Sequence, residues 1–261
     1  MPPKLSVITP VFNGIRFIEF CIRNVIDQIC PDLEHIIVDG GSTDGTVEVV
    51  RRYAAEHPHI RWISEPDRGQ SDAMNKGLGM ASGEVVGFLN ADDYYDPGTL
   101  NEVLMRFQNL PEPSLLVGNC TIWGEGGVRL GVGKPMMIGY LSLLCGWLKA
   151  FPMNPSSYFY HHSLHDRTGI FDVEEHYVMD IDFLLRATQS AHVKYADRNW
   201  GNMRYLPGTK TYDDVALGLN RCRSGIVLDR YRSQSPLFYR FASSLVVLLV
   251  KVCKPFLKYL R

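Results

Sequence analysis

His35-Ile-Ile-Val-Asp-Gly-Gly-Ser-Thr-Asp-Gly45 runs from a strand into an acidic, glycine-rich loop. Thr46 to Ala55 continue it as a helix, with Ser, Thr and Asp available as N-caps. The same pairing recurs on both sides. Upstream, Leu5-Ser-Val-Ile-Thr9 reads as a strand ended by Pro10, and Ile15 to Gln28 repeats apolar residues at helical spacing. Downstream, Arg61 to Ser64 reads as a strand, Ser71 to Ala81 as a helix, and Glu84 to Leu89 as an apolar strand entering Asn90-Ala-Asp-Asp93. Asp96-Pro97 then offers an N-cap acid followed by proline at the first position of a helix running toward Asn109. Strands alternating with helices of this length predict an α/β fold, doubly wound around a mostly parallel sheet.

Beyond Pro111 the rhythm becomes mixed α+β. Leu115 to Ile122 reads as a strand, Gly124 to Gly133 as a glycine-rich hairpin or loop, Ile138 to Leu148 as an apolar helix, Ser156 to Tyr160 as a strand and Ile181 to Ala187 as a helix. One domain over 1–214 is expected, in halves 1–110 and 111–214, followed by a basic helical extension over 215–261.

The 261 residues, 46% hydrophobic and 21% charged, are enough for a full core. With 27 Lys and Arg against 28 Asp and Glu, a strongly basic nucleic-acid binder is disfavoured. The balance is uneven: residues 221–261 carry nine Lys/Arg and one Asp, which leaves an acidic body. The six cysteines show no CxxC spacing, and MPPKLSVITP lacks a charged leader before an apolar run. The expectation is a cytoplasmic protein with reduced, buried thiols. Leu245 to Val250, cut by Lys251, is too short to span a bilayer.

Open parallel sheets bind ligands at the carboxyl ends of their strands. Asp39 follows the second strand, and Asp92 with Asp93 follows the fourth. One Asp in such a place is ordinarily a turn former. Two sets in one sheet suit a hard cation, Mn²⁺ or Mg²⁺, and a ligand that carries phosphates. Neither G-x-G-x-x-G nor G-x-x-x-x-G-K-[ST] occurs, so a Rossmann dehydrogenase and a P-loop NTPase fit poorly.

Four ordered blocks, Ser6-Val-Ile-Thr-Pro-Val-Phe-Asn13, Val38-Asp-Gly-Gly-Ser-Thr-Asp-Gly45, Glu65-Pro-Asp-Arg-Gly-Gln-Ser-Asp-Ala-Met-Asn-Lys-Gly77 and Phe88-Leu-Asn-Ala-Asp-Asp93, resemble glycosyltransferase family 2. The resemblance implies the GT-A fold and inverting transfer from a nucleotide-sugar, UDP-linked by preference, to a hydroxyl of a saccharide or lipid-linked acceptor. Residues 1–110 would hold the donor and 111–214 the acceptor. It places Pro10, Phe12 and Asn13 around base and ribose, Asp39 as acceptor for uracil N3–H, and Asp67 and Arg68 beside base and diphosphate. Asn75 or Lys76 would face the sugar or phosphates, Lys76 being equally readable as a solvated helix residue. Asn90 stands where the family's metal motif usually has its first Asp, followed by Ala91. Asp92 is then the expected metal ligand, with Asp93 as support.

The family's late acidic motif resembles Tyr177-Val-Met-Asp-Ile-Asp-Phe-Leu-Leu-Arg186 and implies Asp180 as the base that deprotonates the acceptor. Residues i and i+2 do not share a helix face, so Asp182 is expected to meet a structural partner such as an arginine. The competing reading of Asp180 is an N-cap. His161-His162 with His165 suits zinc poorly, because adjacent strand residues point apart. The tail from Ser235 to Arg261 mixes large apolar residues with cations. It reads either as peripheral contact with the inner face of the cell membrane or as packing on the body or a second copy in a homo-oligomer. A sugar-phosphate nucleotidyltransferase and a non-catalytic nucleotide-sugar-binding protein are the alternatives; the former would want a basic glycine-rich loop, which Pro10 to Gly14 is not.

Overall fold

A computed structural model describes residues 3–146 and 148–246. In its first part β1 (Leu5–Val11), α1 (Ile18–Ile26), β2 (Leu33–Asp39), α2 (Thr46–Glu56), β3 (Ile60–Ser64), α3 (Gln70–Met80), β4 (Val85–Phe88), β5 (Tyr94–Tyr95) and α4 (Thr99–Phe107) follow one another. The second part holds β6 (Ser114–Trp123), β7 (Arg129–Gly133), α5 (Tyr140–Leu144), β8 (Tyr158–His161), α6 (His165–Thr168), α7 (Met179–Ser190), β9 (His192–Arg204), α8 (Lys210–Ala216) and α9 (Leu219–Gln234).

The strands join in one sheet in the order β3-β2-β1-β4-β8-β6-β9-β5, with β7 on β6. The pairs β3-β2, β2-β1 and β1-β4 are parallel, β8 runs antiparallel between β4 and β6, and β6 and β9 are parallel. The strands β1, β2, β4, β6 and β9 therefore end along one edge. Both sheet faces are covered, which is why the strands read as nearly continuous apolar runs. On β1, Leu5, Val7 and Val11 face the layer containing α1, α2 and α4, while Ile8 faces α3 and the core shared by α5, α7 and α9.

Several boundaries differ from the sequence expectation. The Asp96-Pro97 helix starts at Thr99 behind Gly98, whose φ is 76°, and Asp96 supplies its backbone oxygen to Thr99 N instead of a side-chain cap. The apolar stretch from Ile138 holds only the five-residue α5, because Gly146 turns the chain at a φ of 69°. Strand β9, 13 residues long, has no counterpart in the sequence reading. Helix α9 buries Val227 and Leu228 in the larger core cluster, so the chain beyond 214 is joined to the body. Cys21, Cys120 and Cys145 are buried, but Cys222 is exposed. Among the described residues no helix is long and apolar enough to cross a membrane. The tail beyond 246 lies outside the described residues.

Candidate active site

The edge where β1, β4 and β9 end, and where α3, α7 and α8 begin, encloses a cleft of about 560 Å³. Pro10, Phe12, Asn13, Asp67, Asn90, Ala91, Asp92, Asp93 and Asp180 all line it. Segments some 170 residues apart in sequence are thus gathered by strand topology alone.

The turn after β1 is locked onto the loop after β2. Asn13 N donates to Ser42 Oγ at 2.7 Å, Thr43 N donates to Asn13 Oδ1 at 3.0 Å, and Gly14 N donates to Thr46 Oγ1 at 2.9 Å. This lock leaves Phe12 64% exposed on the cleft wall. Asp39, paired in register with Val11, is fully buried behind that wall and, against expectation, is absent from the cleft lining. Its Oδ2 accepts from Gly41 N, Ser42 N and Ser64 Oγ, while Oδ1 has no hydrogen-bond partner. A buried carboxylate oxygen without a donor is costly, and a ligand N–H would relieve it. Asp67 lies directly against Gly40, where any Cβ would meet its carboxylate.

The three residues of the Asn90-Ala-Asp-Asp93 turn with polar side chains have different surroundings. Asp93 Oδ2 accepts from Asn90 Nδ2 at 2.9 Å and Asn154 Nδ2 at 2.7 Å, and its Oδ1 accepts from Arg204 N at 3.1 Å. Asp93 is therefore spent on fixing the turn, which departs from the expectation that it supports a metal. Asn90 Oδ1 accepts from Gln70 Nε2 at 3.0 Å, and Gln70 Oε1 accepts from Lys210 Nζ at 3.1 Å. No other residue among those described donates to the Asp92 carboxylate; its backbone oxygen accepts from Arg204 Nη1 at 2.8 Å. Burial pushes both acids up, Asp93 well above the usual carboxylate range because the Asp92 charge adds to its own burial.

Asp180 occupies the first turn of α7, one residue inside the start, so Val178 and not Asp180 is the N-cap. Its Oδ1 accepts from Ile181 N at 2.8 Å, and burial raises its pKa. Asp182 points the other way, onto Arg186 at 2.8 Å and Arg230 at 2.6 Å. Asn75 lies outside the cleft lining, its carboxamide exchanging two hydrogen bonds of 2.9 Å with the backbone of Phe171. Lys76 is outside too, tied to Glu65 at 2.9 Å and to Pro66 O, and Arg68 is absent from the lining. Of the histidines, His161 Nδ1 accepts from Ser114 N and His165 shares a hydrogen bond with the Tyr160 hydroxyl.

Gln70, Asn154, Arg204 and Lys210 line the cleft without having been singled out. Gln70 stands inside the Glu65 to Gly77 block quoted above, and Gly208-Thr-Lys210 carried a weaker signal, a glycine-led polar loop. Gln70 starts α3 behind Gly69, whose φ of 110° suits glycine. Burial lowers the Lys210 pKa, and its ammonium sits 5.0 Å from the Tyr177 ring centre.

No group of three or more His, Cys, Asp or Glu ligands exists among the described residues. The Asp92 carboxylate, which receives no donor from another described residue, is a hard oxygen ligand of the kind Mg²⁺ or Mn²⁺ takes.

The Glycosyl transferase family 2 domain matches residues 6–162, more than half of the chain. An uncharacterized glycosyltransferase of Escherichia coli, YibD, is 41% identical over 102 residues, 39% of this chain and 29% of that protein. Chondroitin synthase of Escherichia coli is 32% identical over 41% of this chain and 16% of its own length. A PGL/p-HBAD biosynthesis glycosyltransferase of Mycobacterium bovis is 36% identical over 49% of this chain and 51% of its own. The matched stretch is thus about half or less of each of these relatives. Among solved structures, Staphylococcus aureus TarS 1-349 in complex with UDP-GlcNAc superposes over 80% of this chain and 60% of its own, with a TM-score of 0.66 at 21% identity. The mannosyltransferase PcManGT of Pyrobaculum calidifontis, in complex with GDP-Man and Mn²⁺, covers 99% of this chain and 83% of its own, at a TM-score of 0.61 and 17% identity. These likenesses carry the GT-A fold. The family match, with strand ends converging on one acidic cleft, places this chain in glycosyltransferase family 2.

Proposed function

We propose that the chain is a metal-dependent, inverting transferase that moves a sugar from a UDP-linked donor to a hydroxyl of a saccharide or lipid-linked acceptor. The observation that carries this reading is the single cleft lined by Phe12, Asp67, Asp92 and Asp180. The uracil would lie against Phe12, and its N3–H would reach the unpartnered Asp39 Oδ1 only when the wall side chains in front of it move aside. Asp92 would hold Mn²⁺ or Mg²⁺ against the diphosphate, where the cation supplies charge stabilisation for the departing group worth several kcal/mol. Lys210 adds a second positive charge on the same wall. Asp180, its pKa raised by burial, accepts the proton of the acceptor hydroxyl as that oxygen attacks the anomeric carbon. A single base and an in-line attack invert the anomeric centre.

Titrating UDP-, GDP- and dTDP-sugars with either cation into wild type, Asp92→Ala and Asp180→Asn tests this. Asp92→Ala should lose cation-assisted binding, and Asp180→Asn should keep donor affinity while turnover falls about 10²–10⁴-fold. Cation-independent binding of the donor to wild type would end the reading of Asp92. Donor bound without transfer or hydrolysis would favour a binding protein instead.

Peripheral contact with the cytoplasmic face of the cell membrane belongs to the same proposal. Residues 237–246 are helical, with Leu237, Phe238, Phe241 and Leu245 each more than half exposed, in a tail rich in Lys and Arg. Sedimentation with vesicles of anionic lipid, but not of neutral lipid, is the expected result. A doubled mass in solution without sedimentation would assign the stripe to a second copy of the chain.

A further inference from the structure

Across Arg204 from the carboxylate cleft lies a second cavity of about 680 Å³. Its wall carries three aromatic rings, Phe20, Tyr94 and Trp123, two guanidiniums, Arg16 and Arg204, and one carboxylate, Glu125. The rings are fixed: Phe20 and Tyr94 meet edge to face at 5.5 Å, and Trp123 Nε1 donates to Asn202 Oδ1 at 2.9 Å. The Arg204 guanidinium lies 4.4 Å from the Phe20 ring centre and 5.0 Å from that of Tyr94. Among the described residues no carboxylate comes within 4.0 Å of Arg16 or Arg204. Both cations therefore keep donors for an incoming anion.

Flat rings with such donors at their rim suit a pyranose, whose C–H face packs on an aromatic surface while an attached anion meets a guanidinium. With Arg204 shared with Asp92, the guanidinium donors on this wall match one anionic group. We infer that this cavity binds a sugar ring bearing a carboxylate or phosphate. Its role, which rests on the transferase reading above, is to hold an anion-bearing sugar of the acceptor. Arg204 joins the two sites, since it lines both and donates to the backbone oxygen of Asp92.

The test is calorimetric titration of the full chain with cellobiouronic acid, cellobiose and glucose 6-phosphate, with UDP and Mn²⁺ titrated separately. Cellobiouronic acid, which differs from cellobiose only by its carboxylate, should bind at least roughly tenfold more tightly. Glucose 6-phosphate distinguishes the source of the anion: tighter binding than the uronate assigns the site to a sugar phosphate, weaker binding to a uronate. Arg16→Ala and Phe20→Ala, both exposed residues outside the carboxylate cleft, should each weaken the favoured anion about tenfold and leave UDP binding unchanged. Equal affinity for cellobiose and both anions, or wild-type affinity in both variants, overturns the inference. Failure of UDP to bind would sink the donor reading and the acceptor role, while the saccharide titration still decides whether the cavity takes an anionic sugar.

Discussion

Asp92 and Asp93 are chain neighbours with opposite surroundings, and substitution should separate them. Asp93 receives three donors, so Asp93→Asn turns an amide toward two other amides and a backbone N–H. One buried acceptor position is lost, which should cost about 1–3 kcal/mol in urea denaturation. Asp92→Asn removes no hydrogen bond given by another residue, so stability should stay within about 0.5 kcal/mol while cation-dependent transfer falls. For Asp180 the sign follows from burial: a raised pKa means that the base protonates at higher pH than an ordinary carboxylate. The acid limb of the kcat/KM profile should therefore lie above that of an ordinary Asp and vanish in the residual activity of Asp180→Asn; an acid limb at ordinary Asp pH would remove Asp180 as the base. The position of Asp92 was legible because a strand end is visible in a sequence, and that of Asp180 through the family resemblance of Tyr177 to Arg186. Gln70 and Lys210, 140 residues apart, were not, since their hydrogen bond depends on how α3 and α8 meet across the cleft.

At the scale of elements, β1, β2 and β4 announced themselves because burial on both faces demands unbroken apolar runs. Strand β9 did not: Asp197, Arg198 and Asn199 interrupt it where its pairing with β6 shifts register, so neither an apolar run nor clean alternation survives. The central strands also carry a buried histidine. His35 on β2 shares a 2.9 Å hydrogen bond with Thr9 Oγ1 on β1, and burial lowers its pKa from 6.5 to about 3. The unfolded chain takes up this proton below pH 6.5 and the folded one only near 3, so stability is lost as pH falls through that window. The contribution is up to roughly 1.4 kcal/mol per pH unit, and His35→Gln should flatten the slope of unfolding free energy against pH between 6.5 and 4.5. An unchanged slope would place the proton uptake elsewhere. Nearby, Gly83 brings α3's exit against β1, where an added Cβ would stand 2.7 Å from Ser6 N. Backbone cannot yield as a side-chain tip can, so Gly83→Ala should cost about 1–3 kcal/mol in the same assay.

At the scale of the molecule, the boundary drawn at 214 from a composition shift meets a chain that continues into the core. Of the four Arg at positions 221, 223, 230 and 232, α9 uses the last two as anchors on α7 and α5. Arg230 and the Tyr231 hydroxyl both reach Asp182 on α7, Arg232 donates to Leu144 O on α5, and Val227 and Leu228 close the apolar layer. Because α7 also carries Asp180, the extension braces the helix that presents the proposed base. Two truncations separate this role from the membrane role proposed for the tail. Ending the chain after Asp214 removes the last two residues of α8 and the buried Val227 and Leu228, each worth about 1.5–3 kcal/mol, and leaves Asp182 with Arg186 as its sole ion-pair partner among the described residues. A loss of about 4 kcal/mol or more is expected, with transfer abolished. Ending it after Pro236 keeps every one of these contacts and, among the described residues, gives up the buried Ser243 and the edge-to-face pair of Tyr140 and Tyr239, the latter at about 1 kcal/mol. That shorter chain should fold, bind UDP with Mn²⁺ as the full chain does, and no longer sediment with anionic vesicles. Equal stability of the two truncations in urea would show that α9 lies on the body without supporting it.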